Sequence, residues 1–206
     1  MISLKQQRFC GIAFNLIFGF MAFLSAVFFL FAFVPAFGQS EPNKVNWEEL
    51  VDRVEGYQDV ESRLLRGIAY ANIGELSLSL KEFEIAGEEE YADDVANFVL
   101  RKLGALRDSP NDLLLLNCAA FGSYAFGDLE DSARYFQQII LLDKDNVWAR
   151  NFAAIIYGYL QDFDTALEHL KASLKLDSNN QYTHLLLSAV HKEKQQYIQA
   201  VYHYLL

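Results

Sequence analysis

Three histidines, Cys118 and an acidic run are the residues in this chain whose types could do chemistry. His184 and His191 stand seven apart, two turns along one helix face, and His203 lies on the following element. A metal site needs ligands at compatible spacing, each steadied by a further hydrogen bond. No HExxH and no CxxC motif accompanies these histidines, and ordinary packing accounts for them. Cys118, between Asn117 and Ala119, reads as a small core residue rather than a nucleophile paired with a histidine. Glu88-Glu89-Glu90 with Asp93 and Asp94 has charge enough for calcium but lacks the alternating spacing and glycine of a calcium loop. Acidic residues at a helix start explain the run more simply. There is no GxSxG, no phosphate-binding glycine loop and no dinucleotide fingerprint. The expectation is therefore no catalytic residue, no metal ligand, no cofactor and no enzyme.

The elements around these residues are helical. The chain has three prolines in 206 residues, with long stretches free of any, and strand-like alternation is scarce. Leu113–Asn146 and Val147–Asn180 are each 34 residues long and align in one register. Both close with Leu-Asp, as Leu142-Asp143 and Leu176-Asp177, and then Asn. In the later unit Ala154, Tyr157, Ala166 and Leu170 fall at the eighth, eleventh, twentieth and twenty-fourth positions. In the earlier one they are Ala120, Ser123, Ser132 and Phe136. A unit beginning at Val60 places Gly67, Tyr70, Gly74, Ser79, Phe83 and Ala86 in the same frame. A fourth begins at Gln181, with Ser188, Ala200 and Tyr204 in frame.

This pattern resembles the tetratricopeptide repeat, in which two antiparallel helices per unit cross at small residues. The resemblance covers about 120 residues and implies an all-α helical-hairpin solenoid, with units at 60–93, 113–146, 147–180 and 181–206. Each unit buries its apolar face only by stacking on a neighbour. Residues 39–59 read as a linker and a short capping helix, and the spare residues near 91–107 as an extra amphipathic helix. The proline usual late in each unit is replaced by Lys144 and Ser178, which predicts a looser turn between units.

In such repeats the second, fifth, ninth, twelfth and thirteenth positions line a concave face. Carried onto this chain, the resemblance implies a groove formed by Asn117, Phe121 and Tyr124 in one unit. Trp148, Asn151, Ile155 and Tyr159 follow in the next, and Tyr182 in the last. Leu114, Ala125, Gly158, Leu185 and Ala189 share those positions. The two complete units offer no lysine or arginine there to grip a carboxylate. Aromatics dominate binding hot spots and asparagine can bond a peptide backbone, so an apolar helix or extended segment of another protein is the expected ligand.

Charge narrows the partners further. The chain carries net charge −10, and Lys5 and Arg8 are the only charges before Glu41. So acidic a surface repels phosphate backbones and anionic lipids, so neither nucleic acid nor a membrane surface is expected on the repeat domain. The membrane enters only through residues 1–38. Gly11–Val34 is apolar and long enough to span, a span needing about 20 residues. Pro35 and the small-x-small triplet Ala36-Phe37-Gly38 also suit cleavage before Gln39. Signal peptide and N-terminal hydrophobic anchor helix both stand, and both place the rest outside the cytoplasm, in the periplasm or cell envelope. The apolar ending Val201-Tyr202-His203-Tyr204-Leu205-Leu206 suggests pairing with a second copy or a partner. The expected function is a non-enzymatic interaction scaffold or assembly factor of the envelope. An accessory regulator of a periplasmic enzyme is the alternative, and a metal-dependent enzyme is disfavoured for want of any motif.

Overall fold

Helix starts and stops in this chain are written by single side chains. The structure, a computed structural model, describes residues 44–206; the leader lies outside them. The regular elements among the described residues are helices. They are α1 (Trp47–Val54), α2 (Val60–Ile73), α3 (Leu76–Ala86), α4 (Ala92–Asp108), α5 (Leu113–Phe126), α6 (Leu129–Leu142), α7 (Val147–Tyr159), α8 (Phe163–Leu176), α9 (Gln181–Glu193) and α10 (Tyr197–Tyr204). None is long and apolar enough to cross a membrane. The acidic run occupies a 3-10 turn, Glu89–Tyr91, and the first turn of α4, where Asp93 and Asp94 face the positive end of the helix dipole.

The helices pair as α2–α3, α5–α6, α7–α8 and α9–α10, a solenoid of helical hairpins. The first helix of every hairpin is capped by an aspartate or asparagine. Asp59, Asp112, Asn146 and Asn180 accept the backbone N–H of Ser62, Leu115, Ala149 and Thr183. Each first helix then ends in a left-handed residue, at Gly74, Gly127, Gln161 and Gln195, with φ of 87°, 82°, 61° and 58°. The residue after it donates back five positions. Glu75 N reaches Tyr70 O at 2.9 Å, Asp128 N reaches Ser123 O at 2.8 Å, Asp162 N reaches Tyr157 O at 2.9 Å, and Gln196 N reaches His191 O at 2.8 Å. One turn geometry thus recurs four times among the described residues.

Within a hairpin the two helices touch at the eighth and twentieth positions. Ser79 Oγ donates to Gly67 O at 2.8 Å, and Ser132 Oγ to Ala120 O at 2.9 Å. In the last hairpin the roles reverse, Ser188 Oγ donating to Ala200 O at 2.8 Å. In the third, Ala154 and Ala166 lie together in the core without a hydroxyl. A longer side chain at either position would hold the helices apart and open the core, whose density tolerates no such gap.

The turns between units are not loosened by the missing proline. Asn146 Nδ2 donates to Asp143 Oδ2 at 3.1 Å while its Oδ1 caps α7. Asn180 repeats this with Asp177 at 3.1 Å. The amide does with two hydrogen bonds what the pyrrolidine ring does by fixing φ.

α1 covers the open side of α2 through Leu50 and Val54. Arg66 holds it there. Its guanidinium is buried, donates to Val54 O at 2.5 Å and Tyr57 O at 2.7 Å, and forks onto both carboxylate oxygens of Glu82 on α3 at 3.0 and 3.1 Å. Breaking so buried a pair costs about 3–5 kcal/mol. The sequence reading did not single out Arg66.

The left-handed positions make a direct test. A Cβ at Gly74 would lie 2.4 Å from Trp148 Cζ2 in a backbone disfavoured for side chains. Gly74→Ala is expected to cost about 2–4 kcal/mol. Gln161→Gly and Gln195→Gly are each expected to raise stability by about 0.5–1 kcal/mol, since they relieve the same strain. Urea denaturation of the three variants checks both signs.

Candidate functional site: an apolar groove at the break in the repeat

Elsewhere in the stack, the second helix of one hairpin lies directly against the first helix of the next: α6 against α7, and α8 against α9. At the first junction α4 intervenes and packs on α2 and α5. It is seated by Val95, Phe98 and Val99. Gly122 of α5 allows the approach, since a Cβ there would lie 2.7 Å from Val99 Cγ1. The apolar face of α3 is left looking across at α5, α7 and α9. The cavity between them holds about 320 Å³.

Its lining is almost wholly apolar. Leu76, Leu80 and Phe83 come from α3, Phe121, Tyr124 and Ala125 from α5. Phe152 and Ile155 come from α7, and Tyr182, Leu185 and Ala189 from α9. Glu84 is the one charged side chain among the described lining residues. Phe121 is the hub of the floor, its ring 5.5 Å from Phe83, 5.4 Å from Phe136 and 5.1 Å from Phe152. The contacts with Phe136 and Phe152 are edge-to-face, packing that adds about 0.5–1.5 kcal/mol per pair beyond burial. The floor is therefore rigid, while Leu185 at the rim keeps 51 % of its surface exposed. Burial pushes the Tyr182 hydroxyl up to about 12 and raises that of Tyr124 as well. Both stay neutral and act as amphipathic surface rather than as acids.

The expected groove residues divide. Phe121, Tyr124, Ile155 and Tyr182 line the cavity. Tyr159 lies beside it, its ring 5.9 Å from Tyr124. Asn117 and Asn151 are buried and do not offer their amides to a peptide. Asn117 Oδ1 accepts from Asn72 Nδ2 at 3.0 Å and its Nδ2 donates to Leu113 O at 2.8 Å. Asn151 exchanges hydrogen bonds with Thr183 Oγ1 at 2.9 and 3.0 Å. Both asparagines tie one hairpin to another.

Trp148 is likewise a strut. Its ring closes on Gly74 and sits 5.8 Å from Tyr182. It borders a different, polar cleft with Asp143, Asp145 and Asp177. The first hairpin thus touches the third. The contributions of α3 were missed because a second helix normally turns this face to the next unit. The spare residues before Leu113 were the signal that it would not.

The groups with chemical potential are otherwise engaged. Cys118 is buried under α2 and α4, and desolvation pushes its thiol up to about 12, far from a thiolate. His184 Nε2 donates to Ser178 O at 3.1 Å, which leaves Nδ1 to accept from His203 Nδ1 at 3.0 Å. His191 stacks on His203 at 5.5 Å and donates to Gln196 Oε1 at 2.7 Å. Among the described residues no three His, Cys, Asp or Glu side chains are placed to hold a metal ion.

No family model matches the chain. A curated relative, human trafficking protein particle complex subunit 12, is 30 % identical over 128 residues. The match covers 62 % of this chain but spans only 16 % of that protein. Among solved structures, MamA MSR-1 C2 aligns with TM-score 0.51 at 17 % identity, over 77 % of this chain and 83 % of that one. MamA AMB-1 P212121 aligns with TM-score 0.47 at 16 % identity, over 77 % and 79 %. At that identity the first of these speaks for the fold alone.

Two outcomes follow. Desolvation and the neighbouring His184 and His191 hold His203 below its ordinary 6.5, and desolvation with Arg150 does the same for His169. The unfolded chain therefore binds more protons below about pH 6.5, and stability falls as pH drops from 7 towards 5. A melting temperature independent of pH over that range would contradict the histidine packing; His203→Asn should flatten the slope. Trp148→Ala is expected to cost about 3–5 kcal/mol in urea denaturation, whereas Leu185→Ser at the rim should cost under about 1 kcal/mol.

Proposed function

We propose that the protein is a non-enzymatic interaction scaffold that receives an apolar helical segment of a partner protein in the groove between α3, α5, α7 and α9. The observation that carries this reading is the groove itself: an open apolar surface, floored by interlocked aromatics and rimmed by exposed Leu185. Monomeric proteins keep large apolar surfaces out of water unless something else covers them. An amphipathic helix supplies apolar side chains every three or four residues, and successive repeat helices present Tyr124, Ile155 and Leu185 to meet them. Affinity would rest on burial, at about 25 cal/mol per Å² of apolar area. Specificity would rest on the tyrosine hydroxyls and Glu84 at the edges.

The relative named as a subunit of a trafficking complex fits an assembly role, and supports protein binding in general rather than that process. The leader, with its basic start and its apolar run at 11–34, supports placing the groove outside the cytoplasm, at the envelope, whether anchored or released.

Site-specific photo-crosslinking in the intact chain tests the groove. A photoreactive phenylalanine analogue at Leu185 should give a discrete protein adduct in cells, and the same probe at Glu130 on the outer face should not. Adding Ala189→Arg should weaken the Leu185 adduct about tenfold, the loss that 1.4 kcal/mol produces. Adducts at Glu130 but not at Leu185 would overturn the reading.

A further inference from the structure

The outer face of the solenoid is polar in three hairpins and apolar in the fourth. The positions concerned are the eighteenth, twenty-second and twenty-fifth of each unit, one stripe along the second helix. In the first hairpin they are Ser77, Lys81 and Glu84, the last reaching the groove's edge; in the second, Glu130, Arg134 and Gln137; in the third, Asp164, Glu168 and Lys171. All nine are exposed, although more helices follow each of those hairpins. On α10 and the residue that caps it the same stripe is Ile198, Tyr202 and Leu205, exposed by 85, 60 and 76 %. A further hairpin stacked on α10 would leave these side chains in water, as it leaves their counterparts. The stripe therefore asks for a cover of its own.

We propose that this stripe is a homodimer interface, in which α10 packs against α10 of a second copy. The spacing i, i+4, i+7 is that of a helix–helix seam. Arg, Lys, Asp and Glu are absent from Tyr197 to Leu206. Two chains of net charge −10 repel over most of their surfaces, and here they meet without burying a like-charged pair. A lipid surface fits less well, because interfacial helices carry lysine and arginine along their polar face and α10 carries neither.

Sedimentation of the full chain in mild detergent, with and without Ile198→Glu and Leu205→Glu together, tests this. The expected result is a dimer for the wild type and a monomer for the double variant, at unchanged helical circular dichroism. A wild-type monomer at micromolar concentration would overturn the proposal. A dimer that survives both substitutions would overturn it too, since the contact would then lie elsewhere, the leader included. So would a double variant that differs only in its binding to neutral lipid vesicles, which would assign the stripe to a membrane.

Discussion

Two helices can run within touching distance only where neither carries a bulky side chain, and the described residues meet that condition four times. At Gly67 and Ser79, Ala120 and Ser132, Ala154 and Ala166, and Ser188 and Ala200, the crossing is made by residues no larger than serine. In three of the four a hydroxyl answers a helix carbonyl across the gap. A buried hydroxyl without that acceptor would cost about 1–3 kcal/mol. The hydrogen bond therefore fixes the pairing as well as permitting it. Each hairpin then stacks because its outward apolar face has no other way to leave water.

The groove is what happens when that stacking is interrupted. α4 occupies the contact that α3 would otherwise make with the next hairpin, so the face of α3 remains uncovered and apolar. The curvature of the stack brings α7 and α9 round to face it, and Trp148 against Gly74 fixes how far the ends approach. Buried amides at Asn72 and Asn117, and the Asn151 amide with the Thr183 hydroxyl, hold adjacent hairpins in register. A rigid floor of this kind reduces the ordering cost of binding, because little of the surface has to be organised when a ligand arrives.

Much of this was legible before any coordinates. The 34-residue register located the crossings, the turn residues and the existence of an additional helix. Phe121, Tyr124, Ile155 and Tyr182 line the cavity at the positions that the repeat pattern marks. What was illegible depended on partners distant in sequence. An asparagine at a groove position reads the same whether it meets a ligand or, like Asn117, an amide 45 residues away. Trp148 looks like a hot spot until Gly74 is seen beneath it. Nothing local marks Arg66, yet it is buried on the carbonyls of Val54 and Tyr57, a contact that exists only once α1 folds back. In place of the proline missing from the inter-unit turns stand Asp143 with Asn146 and Asp177 with Asn180. The leader lies outside the described residues.

Hydrogen–deuterium exchange, compared between the protein purified with its captured partner and the same protein stripped of it, is the most direct measure of whether the open groove is where the molecule works. The account expects the partner to slow exchange along the groove-facing stretches of α5 and α9, around Phe121–Ala125 and Tyr182–Ala189, while α6 and α8 on the outer side stay unchanged. Protection confined to α6 and α8, with the groove stretches unaltered, would contradict it.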